Sequence, residues 1–118
     1  MAKSSRYFSE DELKCSCGCG GCEMDAGFLE VLDRVREDAG IPLFVNSGFR
    51  CVKRDAEVRG EGNHPTGRAV DIRAPDSQTR LRVVGAMIRC GIERIGVAKG
   101  FVHGDLCADR PFRVLWLY

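Results

Sequence analysis

The chain has 118 residues, enough for one domain with a modest core. Its 18 Lys and Arg balance 17 Asp and Glu to a formal net charge of +1, which gives no electrostatic reason to expect nucleic acid or a membrane surface as partner. The apolar runs are too short to span a bilayer, and seven cysteines, an odd total, argue against a complete disulfide framework.

Residues 1–24 read as an N-terminal arm with a Gly/Cys-rich loop, and residues 25–118 as the body of one domain. The arm's "MAKSSRYFSEDELK" lacks the apolar core of a secretory signal, so the chain is expected to be cytoplasmic as synthesised. In "DAGFLEVLDRVREDAG", Phe28, Val31, Leu32, Val35 and Ala39 recur at helical spacing, with Asp25 to cap the start and Gly40 the end. "IPLFVNSG" suits a buried strand, "RCVKRDAEVRG" a short helix and "GEGNHPTG" a loop. "RAVDIRA" then reads as a strand, with Ala69, Asp71 and Arg73 on one face and Val70 and Ile72 on the other. "PDSQTRLRVVGAMIRCG" is a second amphipathic helix, capped by Asp76 or Ser77 and stopped at Gly91. "IERIGVA", "GFVHGDL" and "FRVLWLY" are strand candidates. This order predicts a single α+β domain with a mostly antiparallel sheet and helices packed on it.

His64 and His103 are the only histidines, and Asp71 sits within an apolar strand where an unpaired carboxylate is costly. If the "PTG" turn reverses the chain, His64 and Asp71 converge, and His103 joins them from a later strand. Two imidazoles and one carboxylate, with a fourth position left for water, make the ligand set of a catalytic zinc site. Asp105, on the same strand face as His103, could then serve as general base or orient the water. The plainer alternative is a solvated loop histidine, with Asp71 in an ion pair to Arg50 or Arg68.

"SGFRC", "GNHPTGRAVDI" and "GFVHGDL" together resemble the zinc D-Ala-D-Ala carboxypeptidase family, in its small subgroup of peptidoglycan peptidases and phage lysins. That family shares its fold with the hedgehog signalling domain. The motifs occur in order over roughly residues 43–106. The resemblance implies one zinc ion on His64, Asp71 and His103, with Arg50 binding a carboxylate of the peptide substrate. It aligns Asp105 with the aspartate of the late motif, and this residue is expected to act as catalytic base. Small residues in "TGRA" are expected to allow close packing beside the metal. Three departures stand out: Gly62 replaces a common serine, Asp55 a usual asparagine, and Gly100 the acid that larger members carry three residues before the second histidine.

The cysteines Cys15, Cys17, Cys19 and Cys22 depart from paired C-x-x-C spacing, and four ligands in eight residues are hard to wrap around one ion. Buried, small apolar thiols beside glycine turns are the expected reading, with a structural zinc or iron–sulfur ligand set and a disulfide formed after release from the cell as the alternatives. Arg80, Arg82, Arg89 and Arg94 read as a solvated helix face, and Trp116 and Tyr118 as core or edge packing. The function expected is hydrolysis of peptidoglycan stem peptides by a monomeric zinc metallopeptidase, carboxypeptidase or endopeptidase, with neither nucleic acid nor membrane insertion. Such a protein would reach the wall after release, as a phage or prophage endolysin does. The rivals are a non-catalytic zinc-containing wall- or protein-binding module of the same fold, and a small metal-binding or redox protein built on the cysteines.

Overall fold

The computed structural model describes residues 1–118. A four-residue helix, α1 (Glu10–Leu13), opens the chain inside the expected arm. Its start is fixed by reciprocal bonds: Glu12 N–H donates to the Ser9 hydroxyl, and Ser9 N–H donates to the Glu12 carboxylate. The arm is part of the core, because Phe8, Leu13, Cys15, Cys22 and Met24 are buried with the body's apolar residues.

Helix α2 (Ala26–Ala39) starts where Asp25 accepts from Phe28 N–H and ends at left-handed Gly40, as its capping residues predict. It buries Leu29 alongside Phe28, Leu32, Val35 and Ala39, while Val31 is only partly covered. Strand β1 (Val45–Ser47) is shorter than the apolar run suggested. Helix α3 (Val52–Glu57) and a 3-10 turn (His64–Thr66) precede β2 (Ala69–Arg73). Helix α4 (Ser77–Arg89), capped by Asp76, leads to β3 (Arg94–Val97), β4 (Phe101–Asp105) and β5 (Val114–Leu117). No helix is long and apolar enough to cross a membrane.

The five strands form one sheet in the order β1-β2-β4-β3-β5, antiparallel except for the parallel pair β3–β5. Alternation along the strands gives the sheet two different faces. Val70, Ile72, Ile95 and Val102 join the buried residues of α2 and α4 in the apolar core. The opposite face carries a row of chemistry: Asp71 is registered with His103, His103 with Gly96, and Gly96 with Trp116. A Cβ on Gly96 would lie 2.4 Å from Trp116 Nε1, so only glycine lets that ring lie flat along the row.

Arg94 departs from the expected solvated helix face. It is on β3, registered opposite Asp105 and buried with it. The smallness of Gly67 also has a cause other than the metal: it is left-handed at φ 74°, and a Cβ there would meet the Glu23 carbonyl at 2.3 Å.

Candidate metal centre

His64, Asp71 and His103 come together from three elements, with ligand atoms all within 4.8 Å of one another. The 3-10 turn delivers His64, β2 delivers Asp71, and β4 delivers His103 from directly across the ladder. Both imidazoles are about 3% exposed. His64 Nε2 lies 3.5 Å from Asp71 Oδ2, and His103 Nδ1 lies 2.9 Å from Asp71 Oδ1. Asp71 is thus partnered by the two histidines, while Arg50 and Arg68 pair elsewhere, with Asp55 and Asp25.

The ring nitrogens that face away from Asp71 are each tied down. His64 Nδ1 donates to the Gly48 carbonyl at 2.8 Å, and His103 Nε2 donates to Asp105 Oδ2 at 2.7 Å. Outer bonds of this kind fix the ring orientation and tautomer of metal-ligating histidines and raise their basicity. His64 Nε2, Asp71 and His103 Nδ1 therefore fit a divalent metal as a three-ligand set with room for a fourth partner.

The charges agree with that geometry. Burial alone would push the Asp71 carboxyl up, but the two imidazoles hold it well below the usual carboxylate range. Burial alone would lower His103, yet Asp105 and Asp71 on either side raise it above an ordinary imidazole. Asp105, against its own burial, is held low by His103, the Cys107 amide and Arg94.

Asp105 does not occupy the position expected of a base. It is 0% exposed, with Oδ1 accepting from Arg94 Nε at 2.7 Å and Cys107 N–H at 3.1 Å, and Oδ2 accepting from His103. His103 stands between it and Asp71, so its carboxylate orients the ring instead of facing a substrate. The alternation of β4 correctly predicted a shared face, but not that the residue's oxygens are consumed behind the histidine.

The three ligands floor a cavity of about 400 Å³, whose walls include Arg50, Glu61, Trp116 and Tyr118. Arg50 lines the cavity, held by a 3.1 Å ion pair from Nε to Asp55. Asp55 is buried and also accepts from Gly62 N–H at 2.9 Å, so it fixes both Arg50 and the loop leading to His64. The residue noted as a departure from asparagine is therefore a structural anchor. Trp116 packs on His103 with ring centroids 5.5 Å apart, and Arg94 stacks over the indole at 5.2 Å. Trp116 and Tyr118 thus wall the site and are more than edge packing. Their i, i+2 spacing in "LWLY" was the available signal, but the pairing of β5 with β3 was needed to locate them.

A family model described as Peptidase M15 matches residues 6–105, which cover both histidines, Asp71, Asp105 and most of the arm. No curated protein matches the chain. On that match, with the metal-ligand geometry just described, the chain belongs to the M15 family of zinc D-Ala-D-Ala carboxypeptidase-like peptidases.

Proposed function

We propose that this chain is a zinc metallopeptidase that hydrolyses peptide bonds in the stem peptides of peptidoglycan, as a carboxypeptidase or endopeptidase. The observation that carries the reading is the convergence of His64 Nε2, Asp71 and His103 Nδ1 on one cavity, with both outer ring nitrogens already bonded. Zinc held by these three residues supplies Lewis acidity toward an amide carbonyl and brings the pKa of water near neutrality.

The chain's own residues do the remaining work. Arg50 presents a planar fork of donors in the cavity wall and binds a carboxylate of the peptide. Glu61 and Asp71 are the carboxylates lining the cavity, and Asp71 is committed to the two imidazoles. Glu61, on the exposed rim, is therefore the group that exchanges a proton with water and the leaving amine. Asp105 is a positioning residue that acts through His103.

The non-catalytic module of the same fold has one specific observation in its favour. Gly100 stands where larger members carry an acid, and the nearest late-motif acid, Asp105, is buried away from the cavity. The two readings separate on purified peptidoglycan incubated with zinc-loaded protein, chelated protein, and chelated protein with zinc restored. Mass spectrometry of the fragments is expected to reveal shortened or severed stem peptides that vanish with the chelator and return with zinc. Protein that sediments with the wall and releases no fragment would establish the binding module instead.

A further inference from the structure

The M15 centre leaves the cysteines unexplained, and the fold regroups them. Cys15, Cys17 and Cys19 are joined by Cys51, which is distant in sequence, with all four sulfurs within 4.8 Å. Cys22 is excluded: it is buried and its thiol donates to the Lys3 carbonyl at 3.4 Å. The sequence objection to four ligands in eight residues therefore does not apply. Three ligands come from one loop, with left-handed Gly18 and Gly20 turning the chain around Cys19, and the fourth comes from the start of α3.

The spacings discriminate among the chemistries open to thiols. Cys15–Cys17 is 3.5 Å, and Cys15–Cys51 and Cys17–Cys51 are both 3.7 Å. A tetrahedron with metal–sulfur bonds of about 2.3 Å has sulfur–sulfur edges of about 3.8 Å. A disulfide would need about 2.05 Å. With no two of the four sulfurs more than 4.8 Å apart, the set is the size of a single-ion site and too tight to enclose a multi-iron cluster.

Backbone amides aim at the sulfurs as well. Cys51 N–H donates to Cys15 Sγ at 3.4 Å, Arg54 N–H to Cys51 Sγ at 3.4 Å, and Gly21 N–H to Cys19 Sγ at 3.3 Å. Such donors orient and stabilise metal-bound thiolates. An all-thiolate tetrahedral set selects a soft or borderline cation, zinc foremost, and leaves no open position for substrate.

We propose that Cys15, Cys17, Cys19 and Cys51 hold a structural zinc ion, separate from the histidine centre, that pins the N-terminal arm to the segment carrying Gly48 and Arg50. The two regions already touch where Phe49 N–H donates to the Leu13 carbonyl at 2.7 Å. Gly48 is the acceptor for His64, and Arg50 lines the cavity, so the ion braces the chain that aims two functional residues. The assignment does not depend on the peptidase reading.

The test is zinc analysis of the full chain, purified with a phosphine reductant, before and after a mercurial thiol reagent. Wild type is expected to carry about two zinc ions, and His64→Ala about one, which the mercurial releases. Cys22→Ser should keep the full complement, and Cys17→Ser with Cys19→Ser should lose only the mercurial-sensitive ion. Cobalt loaded into His64→Ala should give thiolate-to-cobalt charge-transfer absorption, a readout that needs no cysteine variant to fold. Should the histidines prove metal-free, one mercurial-released zinc in wild type and His64→Ala alike would still support this site. Zinc that disappears in His64→Ala while all seven thiols titrate freely would overturn it. Recovery of Cys15, Cys17, Cys19 and Cys51 as free thiols in zinc-supplemented protein that binds no mercurial-sensitive metal would overturn it equally.

Discussion

Asp71 and Ile72 are neighbours on β2, yet they face opposite sides of the sheet and answer to different physics. Ile72 is 0% exposed among the apolar residues beneath α2 and α4, where burial is favourable in itself. Asp71 lies in a row of polar groups whose burial is tolerated only because each finds a partner: Asp71 with His64 and His103, His103 with Asp105, Asp105 with Arg94. The helix face supplies stability that tolerates repacking. The site face supplies a fixed chemical arrangement in which removing one member strands the next.

That difference predicts unequal responses to substitution. Asp105→Ala should cost the most stability, about 3–5 kcal/mol, because it leaves Arg94 buried and unpaired and His103 without its acceptor. Urea denaturation would measure it, and a loss under about 1 kcal/mol would mean the row does not act as a connected unit. Ile72→Ala should cost about 2–5 kcal/mol, toward the lower end if helices α2 and α4 close the cavity. Unlike Asp105→Ala, it should leave zinc content and activity per folded molecule unchanged.

The pH response sharpens the same contrast. In zinc-free protein His103 titrates above its ordinary value, so its pairing with Asp105 and Asp71 stabilises the fold fully below about pH 6.5. That contribution fades as pH rises through the raised folded-state value. Zinc binding requires the ring nitrogen to be free of its proton, so it strengthens in the same direction. The Tm difference between zinc-loaded and zinc-stripped protein should therefore widen between about pH 6 and pH 8. A difference that is flat or shrinks would contradict the ligand role of His103.

Smaller effects belong to the cavity walls. Arg50→Lys should raise KM several-fold with little change in kcat, since Lys keeps the charge and loses the fork. Glu61→Gln should lower kcat with little change in KM while zinc is retained. Equal effects of both variants on KM alone would reduce Glu61 to a binding residue.

The sequence made some of this legible and hid the rest for identifiable reasons. Helices α2 and α4 were readable because apolar spacing and caps coincide, Asp25 with Gly40 and Asp76 with Gly91. Asp71 was readable because a carboxylate in an apolar strand demands a partner, and two histidines were available to provide it. The role of Asp105 was hidden because face-sharing says nothing about which side the cavity lies on. Only the β3–β4 register reveals that Arg94 takes its other oxygen. Cys51 was hidden because its partners lie far away in sequence, and the bond from Phe49 to Leu13 that unites the two segments has no local signature. Helix α1 is encoded in "SEDE", a capping box whose single turn is too short to show an apolar period.

The most direct test compares wild type with Asp71→Asn, a variant that keeps the side chain's shape and removes its charge. Both are incubated with purified peptidoglycan under saturating zinc, and newly released amino groups are counted. Steady release by the wild type and none above background by the variant is the result expected of a metal centre built on Asp71. Equal release by the two would contradict it, because the carboxylate joining the two histidines would then have no part in the chemistry.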